Sequence, residues 1–188
     1  QLQKAITRGN GEVGEVVTNN ASVFKNIPLR ISFTGRLILR GEAVIRYSDF
    51  EEINSRITDP KEQYKNPRNL CSGSVRQLNN EITAKRNVRF YAFALVEAQD
   101  MPEMHFRKEQ FAFLAGLGFD VVEYKEVTSE NVHEAVSYFA DKITTHDIPS
   151  DGLVLLYDDI AYGKSLGRTA KFPRDAIAFK WADEVSET

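Results

Sequence analysis

Arg68 and Arg76 stand eight residues apart in a run of small and polar residues, Asn66-Pro67-Arg68-Asn69 followed by Ser72-Gly73-Ser74-Val75-Arg76-Gln77-Leu78. A core helix would carry an apolar stripe there. Carried on one helix, the two guanidinium groups would lie about 80° apart around the axis and about 12 Å apart along it, so both reach one extended ligand. A polyanion suits such a pair, because guanidinium forks give phosphate oxygens two parallel charge-assisted hydrogen bonds. A solvated helix with ordinary surface arginines accounts for the same residues equally well at this point.

A second cation sits in a period-two pattern near the end of the chain. Asp175, Ile177, Phe179 and Trp181 share one face of a strand, three of them bulky groups suited to a core. The other face is Ala176, Ala178, Lys180 and Ala182, a shallow floor with one ammonium rising from it, as a nucleotide phosphate would require. An exposed edge strand decorated with lysine is the plainer explanation. Asp151-Gly152 opens the strand before it, and a carboxylate there can orient a cation or magnesium ion, although Asp-Gly is also a common turn dipeptide. Glu42 follows Arg40 on the polar face of an apolar strand, with Gly41 permitting close backbone approach; an ion pair with Arg40 or Arg46 is the alternative. Arg8, in Thr7-Arg8-Gly9-Asn10-Gly11, precedes flexible backbone amides that could meet a phosphate. His105, His133 and His146 have no ligand spacing, and Ser72 and Ser74 have no general base nearby, which argues against a serine hydrolase.

The elements that must position these residues are legible in outline. Residues 2–7 read as a short strand, and Gly9, Gly11 and Gly14 make a polar turn into a helix containing Glu15, Val16 and Val17. Residues 36–46 alternate as an edge strand with a charged face. Ser48 caps a helix through Arg56, and a mobile loop over residues 59–65 leads to the arginine segment. Residues 88–97 form an apolar strand. Phe106, Gln110, Phe113, Leu114 and Leu117 follow helical spacing up to Gly118, and a second helix from Ser129 carries Val132, Ala135, Val136, Phe139 and Ile143. With Val121 and Val122 as a strand between them, this pair reads as a packing subdomain. Strands over 152–157 and 175–182 close the chain. Without regular β-α alternation, α+β is the expected class.

Composition sets limits on partners. The 188 residues are 42% hydrophobic, enough for one domain with a sizeable core, and the net charge of −3 excludes holding nucleic acid by overall basicity. Any such contact must be local. One cysteine, Cys71, permits no internal disulfide and favours a reducing, cytoplasmic compartment. No apolar run approaches the roughly 20 residues that span a bilayer, and the polar start is no signal peptide. Lacking an initiator Met, the chain reads as a fragment that begins inside a longer one.

Taken in order, these pieces resemble the adenylation (nucleotidyltransferase) domain of bacterial NAD-dependent DNA ligases. The matching blocks are Thr7 to Gly11 with Gly14-Glu15, Arg40-Gly41-Glu42, Asn66 to Leu78, Ile82-Thr83-Ala84, Asp151 to Val154, Leu166-Gly167-Arg168-Thr169, and Pro173-Arg174 with Ala178-Phe179-Lys180. The resemblance implies an ATP-grasp-like ligase fold, antiparallel sheets around a nucleotide cleft with packed helices, filling residues 1–188. It implies NAD as the AMP donor, Mg2+ or Mn2+ as cofactor, nicked double-stranded DNA as partner, and a monomer. The family's lysine nucleophile, in a Lys-x-Asp-Gly motif, would lie upstream of residue 1, with nicotinamide-binding and OB domains flanking. By the same resemblance Lys180 contacts the α-phosphate, Glu42 binds the AMP ribose or supports the site, and Asp151 supports metal or nucleophile. Arg8 would touch nucleotide or DNA, and Arg68 and Arg76 the phosphates around the nick.

The pattern is broken in three places. Leu156 stands where the family has a second lysine five residues after the motif aspartate, leaving Lys164, Arg168 and Lys171 as candidates to replace it. Ile143 stands where an arginine is usual, and Asp175 where a tryptophan follows Pro-Arg. Two other functions remain open on these residues: an ATP-dependent DNA or RNA ligase, and a degenerate, non-catalytic nucleic-acid-binding module.

Overall fold

A computed structural model describes residues 1–170 and 172–181. The expected strand position Ala182 and the candidate cation Lys171 lie outside the described residues. The chain forms two compact units, one made of Gln1–Pro102, Gln110–Val122 and Asp147–Pro149, the other of Glu103–Glu109, Glu123–His146 and the residues from Ser150 on.

The first unit is built on an antiparallel pair, β1 (Leu37–Val44) and β2 (Arg89–Ala98). Its register steps at Ile38/Leu39 and Arg40/Gly41 leave Val96 and Phe93 without partners on β2, and both are exposed. Such bulges bend the strand and redirect side chains. Helices α1 (Thr18–Ala21), α2 (Tyr47–Ser55), α3 (Pro67–Ser74) and α4 (Asn80–Ala84) complete this unit, with α3 against β1, α2 against α3, and α1 against α4. The core is Ile45, Leu70, Cys71 and Val88, with Phe50, Ile53 and Tyr64 packed against it. Leu70 and Cys71 come from the arginine segment, so α3 is anchored on its apolar side and open on the other.

Local expectations fail here for identifiable reasons. Residues 2–7 form no strand: Ile6 makes a single antiparallel bridge to Val16, since only residues 5–7 and 15–17 meet. Glu15, Val16 and Val17 therefore lie outside any helix, and α1 starts at Thr18. Ser48 does not cap α2. The helix begins one residue earlier, and both the Ser48 N–H and hydroxyl donate to the Asp147 carboxylate, at 2.9 and 2.6 Å. Residues 59–65 are irregular but tied to α2, where Asn54 donates to the Tyr64 carbonyl (2.8 Å) and accepts its N–H (3.0 Å).

The second unit contains α6 (Val132–Ile143), α7 (Ile160–Ser165) and an antiparallel pair, β3 (Gly152–Leu156) with β4 (Ala176–Lys180). Helix α5 (Arg107–Gly116) ends two residues before Gly118, and its later turns belong to the first unit while α6 lies in the second. The expected α5–α6 subdomain is thus not a unit. Val121 contributes one parallel bridge to Ala92 rather than a strand, since only Val122 N–H and Ala92 N–H continue the pairing. The class is mixed helix and antiparallel sheet, as the interspersed pattern indicated.

Candidate functional site

Helix α3 starts where its sequence says it should. Asn66 accepts the Asn69 N–H at 2.8 Å and Pro67 occupies the first turn, where a missing N–H costs nothing. Arg68 follows and is exposed. The helix stops at Ser74, so Arg76 is not on it, and the 80° and 12 Å expected for one helix do not describe this pair. Side chains from elsewhere take the carbonyls that would continue the helix. Thr83 donates to the Ser74 carbonyl at 2.7 Å, Asn20 to the Val75 and Gln77 carbonyls at 2.7 and 2.9 Å, and Gln77 back to Gly73 at 3.0 Å. Arg76 therefore projects from a fixed turn.

Its guanidinium forms an ion pair with Glu15, 61 residues away in sequence. Glu15 is itself tied to the opening segment: its N–H donates to the Thr7 hydroxyl, and the Thr7 N–H to its carbonyl, both at 2.9 Å. This chain of contacts joins Arg76 to the segment holding Arg8, which is exposed. The backbone amides expected there as phosphate donors are partly taken, because Asn10 Oδ1 accepts the N–H groups of Glu12 and Val13 at 3.0 and 2.8 Å.

Glu42 lies exposed on β1, opposite Tyr91. It pairs with neither Arg40 nor Arg46. Arg46 instead donates to Asp49 at 3.0 Å and lies 3.8 Å from Asp147, and the Asp49 hydrogen bond raises the guanidinium above its ordinary range. Glu42 does act on α3: burial first, and then the Glu42 charge, push the Cys71 thiol up to about 12. A Cβ at Gly41 would lie 2.4 Å from both the Phe90 ring and the Tyr91 carbonyl oxygen, so the pairing beside Glu42 requires glycine.

In the second unit Asp151 and Lys180 both lie at one end of the β3–β4 ladder, at adjacent positions that alternate between its two faces. Gly152 is the partner of Lys180, and the Trp181 N–H donates to the Asp151 carbonyl at 3.0 Å. Gly152 is no turn residue; it lies in β3, where a Cβ would come 2.0 Å from the Phe179 carbonyl oxygen. Alternation puts Lys180, Ala178 and Ala176 on one face with Gly152, Val154 and Leu156. Lys180 is the one cation on that face among the described residues, since leucine stands at 156. The opposite face is not core: Ile177 is 60% and Phe179 41% exposed, because no described layer covers a two-stranded ribbon. Asp175 is held at the far end of the ladder by Arg107, whose Nη2 donates to its carboxylate at 2.8 Å. That half-buried pair, 68 residues apart in sequence, accounts for an aspartate after Pro-Arg and leaves no local signal.

Lys164 and Arg168, both exposed, carry no ion pair among the described residues. No three His, Cys, Asp or Glu side chains among the described residues converge as metal ligands. Asp151 alone makes no cage for Mg2+ or Mn2+.

A model of the NAD-dependent DNA ligase adenylation domain matches residues 1–184. The chain belongs to that family. Its relatives include the DNA ligases of Lachnoclostridium phytofermentans, 67% identical, and Ruminiclostridium cellulolyticum, 60% identical, each aligned over all of this chain and 29% and 28% of its own length. The DNA ligase of Sulfurovum sp. is 38% identical over 96% of the chain and 28% of its own length. This adenylation domain thus spans under a third of the curated relatives it matches. Among its described residues no helix is long and apolar enough to cross a membrane.

Proposed function

We propose that this adenylation domain works in an NAD-dependent DNA ligase that carries AMP from NAD to the 5′-phosphate of nicked double-stranded DNA, for strand sealing in replication and repair. The family match over residues 1–184 carries the reading. In that reaction a deprotonated lysine amine, supplied by the family's Lys-x-Asp-Gly motif, attacks the α-phosphate of NAD. An N–P bond forms, the P–O bond to nicotinamide mononucleotide breaks, and the expelled phosphate takes the electron pair. The AMP then passes to the 5′-phosphate, and the 3′-hydroxyl displaces it.

Each residue has a role that its chemistry supports. Lys180, a cation on a floor of small side chains, neutralises charge building on the α-phosphate oxygens. Glu42 accepts hydrogen bonds from the AMP ribose, and Asp151 supports the nucleophile. Arg8 meets nucleotide or DNA. Arg68 and Arg76 grip phosphates beside the nick, contacts that position without reading sequence. Arg76 reaches that state at small cost, since an exposed ion pair such as its contact with Glu15 is worth about 0–1 kcal/mol. The finer assignments are an ATP-grasp-like fold, a divalent ion brought with the substrate phosphates, a monomer and a cytoplasmic location.

Labelled NAD and labelled ATP, offered separately to the full-length protein, test the reading. Label is expected on the protein and then on nicked DNA with NAD; transfer from ATP alone makes it an ATP-dependent ligase, and transfer from neither makes it a binding module.

A further inference from the structure

The turn that carries Arg76 is shaped by more than apolar packing. Val75 packs against the core, but Arg76 is exposed and Leu78 is 99% exposed, so apolar burial does not set the chain beyond Val75. A helix end of this kind is ordinarily finished by water or by a glycine. Here a side chain 55 residues away in sequence finishes it. The two hydrogens of the Asn20 amide go to the carbonyls of Val75 and Gln77, the residues immediately before and after Arg76, at 2.7 and 2.9 Å. Asn20 is 5% exposed, and its oxygen lies 3.0 Å from the Thr83 hydroxyl, whose one hydrogen is shared between it and the Ser74 carbonyl. Thr83 and Ser74 are each 1% exposed; Thr83 also reaches the Ser74 carbonyl, and Ser74 donates to the Leu70 carbonyl at 2.6 Å.

We propose that Asn20 is a positioning residue for Arg76, clamping the peptide groups on both sides of it so that the guanidinium is aimed at a nucleic-acid phosphate. The inference rests on the reading of Arg76 as a phosphate contact. The amide sits this way round because turning it would set its oxygen against the two carbonyl oxygens of Val75 and Gln77. Asn80 adds a second tie, donating to the Asn19 carbonyl and side-chain oxygen at 3.2 and 3.1 Å. Glu15, five residues before Asn20, holds the guanidinium itself. One short segment therefore fixes both the root and the head of the arginine. With Asn20→Asp the clamp loses both donors at nearly constant shape, and the turn becomes free to point Arg76 elsewhere.

The test is a double-mutant cycle in the full-length protein, reading nicked-duplex affinity across a salt series. Asn20→Asp and Arg76→Ala are each expected to weaken binding about tenfold and to lower the slope of log affinity against log salt by about one. The double variant is expected to be no weaker than Arg76→Ala alone. Thr83→Val is expected to reproduce part of the loss and Thr83→Ser, which keeps the hydroxyl, to restore it, so the inference stays testable if Asn20→Asp folds poorly. If the losses multiply in the double variant, or Thr83→Ser fails to restore what Thr83→Val removes, Asn20 only stabilises the fold and the inference is wrong. If Arg76→Ala leaves the salt slope unchanged, Arg76 grips no phosphate and the underlying reading falls with it.

Discussion

The arginine turn of the first unit and the β3–β4 ribbon of the second bear their functional side chains on opposite kinds of support. Arg68 and Arg76 issue from a segment whose other side is buried, with Leu70 and Cys71 in the core and Ser74 and Thr83 in a closed polar network. Lys180 and Asp151 issue from a two-stranded ladder in which none of the strand residues is fully buried. There the backbone pairing, and the glycine at 152 that permits it, set the geometry. The first arrangement fixes direction through side chains, so distant substitutions reach the arginines. The second should tolerate changes to its apolar residues and fail when Gly152 or the charged groups themselves are altered.

The largest expected effect tests the ribbon. Lys180→Ala should lower AMP transfer to the protein by at least about 10²–10³-fold, as loss of one charge-stabilising donor does, while circular dichroism stays as in the parent. Transfer at the parent rate would make the lysine decorative. Next is a paired comparison of stability by urea unfolding. Leu70→Ala should cost about 2–5 kcal/mol, whereas Ile177→Ala should cost about 1 kcal/mol or less. Equal costs would show that the ribbon's apolar face is covered and erase the contrast.

Two smaller effects separate the units by pH. The Cys71 thiol, pushed up to about 12 from an ordinary 9.0, favours the protonated form in the folded state. Its contribution is complete below the ordinary thiol range and is lost as pH rises through it toward 12. Cys71 should resist alkylation at pH 8 until the chain unfolds, and Cys71→Ala should flatten the alkaline fall in stability. In the second unit the Lys142 ammonium, and secondarily the Tyr138 hydroxyl, hold the Glu123 carboxyl below its usual range. A depressed carboxylate stabilises above its unfolded value and loses that contribution as pH falls through the folded one. Lys142→Met should therefore reduce the acid sensitivity of unfolding slightly, the pair being half exposed. A larger change than that from Cys71→Ala at alkaline pH would reverse the order.

What the sequence revealed follows interaction range. The alternation of β1 and the strands β3 and β4 depend on neighbours within a few residues, and each was legible. Glu15 with Arg76, Asn20 with Val75 and Gln77, and Arg107 with Asp175 join positions more than 50 residues apart, and a polar side chain gives no period that points to its partner. The apolar face of β4 illustrates a different gap. Alternation identifies which side of a strand is apolar, but only the neighbouring layers decide whether that side is enclosed. The arginine pair failed for a third reason: a helix was extended two residues too far because its stop comes from side chains in α1 and α4.

Glu15 beside Arg76 gives the resting domain a placeholder. A free phosphate ion must displace a carboxylate that is tethered a few ångströms away and cannot diffuse off, whereas a duplex arrives with several phosphates held in register. If Arg76 grips a phosphate as proposed, competition from within the molecule weakens small anions at the arginine more than it weakens a polymer.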